Sequence, residues 1–134
     1  MQNQPQATPG LYPGPGLASL LRPNEQQYLL QAQTIAAGQS TIALQLGRLQ
    51  DGYPWGAAFQ LKCASTPGTF EIDILGSETD ESIGSYVQLG TITTVNSSNF
   101  GRYDMPPTVF PKFVTAYFKT WPNAGVVISL LATR

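Results

Sequence analysis

Polar and apolar residues alternate along most of the chain after residue 25. In "STIALQL", Ile42, Leu44 and Leu46 share one face, with Thr41, Ala43 and Gln45 on the other. "AAFQLKCA" sets Phe59, Leu61 and Cys63 on one side and turns Gln60 and Lys62 outward. "TFEIDIL" is the cleanest case: Phe70, Ile72 and Ile74 face in, Glu71 and Asp73 face out. A period of two is the mark of a half-buried strand. "YVQLGTITTV" (86–95), "KFVTAYFKTW" and "VVISLLAT" read the same way, with Gly90 marking a bulge or bend. "QYLLQAQTIAAG" also alternates, although its first part, "NEQQYLLQAQ", equally suits a short helix.

Turn-forming residues separate these runs. "GRLQDGYPWG" (47–56), Thr66-Pro67-Gly68, the polar loop 76–85 and the turn 122–125 punctuate the pattern. "NSSNFGRYDMPPTVFP" (96–111) reads as a long irregular connection. Short strands between turns predict an all-β fold, an antiparallel β-sandwich or jelly roll of about six to eight strands. It occupies residues 25–134.

Residues 1–24 form a different segment. Pro5, Pro9, Pro13, Pro15 and Pro23 remove amide donors and fix φ, and Gly10, Gly14 and Gly16 loosen the chain between them. The prediction is an extended arm, with one helical turn possible over 17–22. Leu11, Tyr12, Leu17, Leu20 and Leu21 make it too apolar for an inert tail. They are the candidate partner-binding residues of the arm.

Charge changes the picture of the surface. Only 11% of the 134 residues are charged and 42% are hydrophobic, against roughly 25% charged in ordinary soluble domains. A surface so neutral is poorly protected against association, which points to an assembly. The net charge is −1 and the seven Lys and Arg are scattered, so no basic stripe marks a nucleic-acid partner. No apolar run is long enough to span a bilayer. The first residues lack the basic and apolar regions of a signal peptide, so neither membrane nor secretion is expected.

The chemistry is sparse. Histidine is absent and cysteine occurs once, at Cys63, which excludes a serine triad, a Cys-His pair, an internal disulfide and a multi-cysteine zinc site. Cys63 reads as a core residue. Glu71 and Asp73, two apart on one strand, could pair for acid/base work, but a solvated outer face explains them as well. Glu78, Asp80 and Glu81 lack the acid spacing of a dedicated calcium loop. No phosphate or dinucleotide glycine motif occurs. No catalytic, cofactor or metal residues are therefore assigned.

Aromatic residues near loops remain. Tyr53, Trp55, Phe100, Tyr103 and Trp121 can plug the end of a sandwich, contact a protein or form a sugar platform. Pro106, Pro107 and Pro111 stiffen the stretch 102–114, and a stiff loop loses little entropy on docking. Tyr53, Trp55, Tyr103, Pro106 and Pro107 complete the candidate partner-binding set.

The quoted order "GTFEIDILGSETDESIGSYVQLGTITT" then "FPKFVTAYFKTWPNAGVVISLLAT" resembles a layout in small structural proteins of tailed bacteriophages, including capsid decoration proteins. Its parts fall at residues 70–77, 86–93, 113–116 and 125–130, and the likeness spans 57–133. Galactose-binding-like and discoidin-like sandwiches have a similar strand order. The resemblance implies a non-enzymatic virion protein at the capsid surface, assembled in the host cytoplasm. It further implies binding to the major capsid protein or other virion subunits. Arms of this kind reach across to neighbouring subunits, and a homo-oligomer follows, a trimer in preference to a dimer. Thr115 stands where the layout often has arginine, which weakens transfer of any ligand-binding role. The competing expectation is a carbohydrate- or receptor-binding module on a phage tail or spike; a hydrolase using Glu71 and Asp73 comes third.

Overall fold

The computed structural model describes residues 19–21, 25–41, 43–46, 57–77, 86–93, 99–105 and 111–134. These contain nine strands: β1 (Ser19–Leu21), β2 (Gln26–Gln33), β3 (Leu44–Leu46), β4 (Ala58–Cys63), β5 (Glu71–Ser77), β6 (Val87–Thr93), β7 (Phe100–Asp104), β8 (Phe113–Thr120) and β9 (Ile128–Thr133). Among the described residues no helix is long and apolar enough to cross a membrane. The "NEQQYLLQAQ" ambiguity resolves as strand, because β2 pairs along its length with the apolar β9.

The strands form two packed sheets, ordered β1-β3-β8-β5-β6 and β2-β9-β4-β7. Apart from β1, every pairing is antiparallel. The two halves of the chain pair in nested fashion: β2 with β9, β3 with β8, β4 with β7, β5 with β6. Successive nested pairs alternate between the sheets, and β4–β9 and β5–β8 join them within each sheet. A long hairpin wound over itself in this way is the jelly roll. The ninth strand exceeds the six to eight expected because β1, three residues long, lies within the proline-rich arm and β7 within the stretch read as an irregular connection.

The inward faces supply the core. Phe59, Leu61, Ile72, Ile74, Ile92, Phe118, Ile128 and Leu130 are fully buried between the sheets, each stabilising the fold by roughly 1.5–3 kcal/mol. β4 and β9 alternate as the sequence predicts. β8 does not: Phe113 to Ala116 are all buried, so at this end of the strand both faces are covered. Thr115 lies there and donates to the Thr41 carbonyl at 2.7 Å. Asp73 corrects the expectation of a solvated outer face, being only 7% exposed. Trp121 caps one end of the core, with its ring centroid 5.3 Å from Phe70 and 5.2 Å from Phe118.

Candidate functional site

The arm does not stop at the edge of the fold. Its last residues become β1, parallel to β3 with Ser19 opposite Leu44, Leu20 opposite Gln45 and Leu21 opposite Leu46. Leu21 is 1% exposed and belongs to the central core cluster. Its carbonyl accepts from Arg134 Nη1 at 3.0 Å, and the Arg134 amide donates to the Glu25 carbonyl at 3.0 Å. Arg134 is thus tied to Leu21 and Glu25 at one side of the sandwich, with β1 last in the order of the five-stranded sheet. The remaining arm residues Leu11, Tyr12 and Leu17 lie outside the described residues, as do Tyr53, Trp55, Pro106 and Pro107.

Tyr103 lies on the other side, at the β6/β7 edge. It stands on β7, which occupies part of the stretch read as an irregular connection. The prolines beyond residue 105 obscured five residues of strand. The Tyr103 ring turns inward, half-buried, and its hydroxyl donates to the Leu89 carbonyl at 3.2 Å. Burial pushes the phenol above its usual range. Leu21 and Tyr103 are therefore not brought together; they mark opposite edges.

The outward residues near Tyr103 form the more accessible surface; Phe100 was already a possible contact from its place near a loop, whereas Gln60 and Arg102 were not. β4 pairs with β7 in unbroken register, Ala58 opposite Asp104, Gln60 opposite Arg102 and Lys62 opposite Phe100. Across β9, Leu131 lies opposite Gln60 and Tyr28. The outer face thus carries a row of Tyr28, Leu131, Gln60 and Arg102. Phe100 is 62% exposed beside it. Arg102 Nε donates to both Asp104 carboxylate oxygens at 2.9 and 3.0 Å, and Nη2 lies 2.7 Å from Oδ1. The period of two in "FGRYD" was the available signal.

Beside β7, an open concavity of about 480 Å³ is lined by Gln60, Thr91, Thr93, Phe100, Gly101 and Arg102. Hydroxyl, amide, guanidinium and aromatic groups meet there, which suits hydrogen bonding and stacking. Arg102 in this lining is held further in its protonated form by its hydrogen bonds to Asp104 and by that carboxylate's charge; the other perturbed groups lie elsewhere. Cys63 is buried, and burial pushes its thiol up to about 11, far from a reactive thiolate. Asp73 is raised first by burial and then by repulsion from Glu71, with Lys119 acting against both. Gln88 Nε2 donates to its Oδ1 at 3.4 Å, while Glu71 pairs with Lys119 at 3.4 Å. Among the described residues no three His, Cys, Asp or Glu side chains gather as a metal site would require.

Compared with known proteins, the sequence matches no family model, and no curated protein matches it.

Proposed function

We propose that this protein is a non-enzymatic structural subunit of a tailed-phage virion, a capsid decoration protein that binds and stabilises the head shell through its arm and loops. The observation that carries this reading is the anchoring of the arm. Leu21 is locked into the core and β1 into a sheet, so residues 1–18 are tethered to a rigid body at its edge. A tether of this kind suits contact with a neighbouring subunit better than it suits a linker. The jelly roll, common to viral capsid and lectin domains, and the sparsely charged composition fit the same role. The partners are then the major capsid protein or other virion subunits, together with further copies of this chain, at the capsid surface.

The test is removal of residues 2–18, which leaves β1 intact. The truncated protein should keep its thermal transition and lose occupancy on empty heads in a sedimentation assay. Full occupancy without the arm would overturn the reading.

A second reading, a carbohydrate- or receptor-binding module of a tail or spike, draws on the concavity beside Phe100 and Arg102. Trp121 and Tyr103 do not serve it as platforms, since both rings turn inward. Strong glycan-array binding that Phe100→Ala abolishes would put this reading first.

A further inference from the structure

Edge strands invite pairing, and folded proteins guard them with bulges, shortness or charge. The described edges of this sandwich are guarded unequally. β1 spans only three residues. β2 carries two register shifts against β9, and Ala32 within it has φ of 50°. β6 carries a register shift against β5 next to Leu89. β7 has none: five consecutive residues pair with β4 in regular register.

The hydrogen-bonding direction of β7 follows from its ends. The Cys63 amide donates to the Asn99 carbonyl at 2.8 Å, and the Met105 amide to the Ala57 carbonyl at 3.0 Å. In an antiparallel ladder the bonding side alternates residue by residue. Asn99, Gly101, Tyr103 and Met105 therefore address β4, while Arg102 and Asp104 turn their amides and carbonyls to the open side.

We infer that β7 is a self-association edge whose occupant is β7 of a second copy, joined antiparallel about a two-fold axis at Tyr103. Of the registers that satisfy the hydrogen-bonding parity, two set Arg102 opposite a charged residue. One sets Arg102 opposite its own counterpart, which like-charge repulsion disfavours. The other sets Arg102 opposite the second copy's Asp104, and Asp104 opposite the second copy's Arg102. Both chains then share two opposite-charge pairs across the joint. The side chains are already on the correct face, because Arg102 and Asp104 pair with one another on the outer surface. Each carboxylate retains lone pairs for a second guanidinium. The result is one continuous sheet through two sandwiches, with a self-complementary contact that closes at two copies. The inference does not depend on the virion reading and is tested without heads.

The experiment is sedimentation equilibrium of the purified full chain, with amide hydrogen exchange at low and high protein concentration. The wild type should dimerise reversibly, and the Arg102 and Asp104 amides should become protected as concentration rises. Arg102→Asp and Asp104→Arg each place like charges at both pairs and should weaken association about tenfold. The double exchange, Arg102→Asp with Asp104→Arg, should restore it. These side chains are exposed, so their loss leaves folding little changed. Three results would each overturn the inference: unprotected Arg102 and Asp104 amides at all concentrations, a dimer indifferent to both single exchanges, or protection that disappears when residues 2–18 are removed. The last would assign the edge to the arm.

Discussion

The ring of Tyr103 occupies the space that a Cβ on Gly90 would need. The two residues come from different sheets, Gly90 on β6 and Tyr103 on β7. The contact recurs one step along, where a Cβ on Gly101 would collide with Cγ2 of Ile92. Two glycines thus let the sheets close on one another at this edge. Gly90→Ala should destabilise the protein by about 1–3 kcal/mol through overpacking, read as a lower denaturation midpoint at unchanged slope. Tyr103→Phe, which loses only the hydrogen bond to Leu89, should cost about 0.5–1.5 kcal/mol.

Arm and body are joined at Leu21. Leu21→Ala should cost about 2–5 kcal/mol, the usual penalty for emptying a fully buried leucine site. Removal of residues 2–18 should cost far less, since it spares β1. Thermal melts of the two variants, side by side, check the boundary between tether and fold.

Asp73 makes stability depend on pH. Its carboxyl is held above its ordinary value of 3.8, chiefly by burial and then by Glu71. The folded protein therefore binds this proton more tightly than the unfolded chain does. The favourable contribution is complete below the ordinary value and is lost as pH rises through the raised one. Asp73→Asn should accordingly be more stable than wild type near neutrality. The two should converge in acid. Urea titrations across the acid range measure the difference.

Cys63 should be inert in the folded state. It is buried, and burial pushes its thiol up to about 11, so an aromatic disulfide reagent at mildly alkaline pH should label it only after denaturation. Rapid labelling of native protein would mean that the β4 end of the sandwich opens.

Thr115 ties β8 to the segment before β3. Its hydroxyl donates to the Thr41 carbonyl and lies 3.2 Å from Thr41 Oγ1, in full burial. Thr115→Val keeps the shape and strands these partners, for a loss of about 1–3 kcal/mol in chemical denaturation.

The fold class was legible because one face of β4, β5 and β9 must be apolar in any sandwich, and a period of two survives in the sequence whichever strand is the neighbour. β7 was missed for a local reason. Its five residues lie among Asn, Ser, Gly and Pro, and Phe100, Arg102 and Asp104 point outward, so only Tyr103 signalled an inward side. Asp73 was misread for a non-local one. Alternation assigns it correctly to the outer face, but whether that face meets water depends on what else covers it. The same limit applies to Leu21, whose sequence surroundings of proline and glycine describe an arm and whose burial comes from a strand more than twenty residues away.

The sequence by itself determined the longer alternating strands, their inward residues and the absence of histidine chemistry, because these follow from local periodicity and composition. Only the tertiary structure decided the winding of the strands into a jelly roll, the capture of Leu21 as part of the core and the place of β7, in unbroken register with β4, at the end of its sheet. Each depends on which distant backbone completes a hydrogen-bonded ladder, and a strand's own residues do not encode its neighbour.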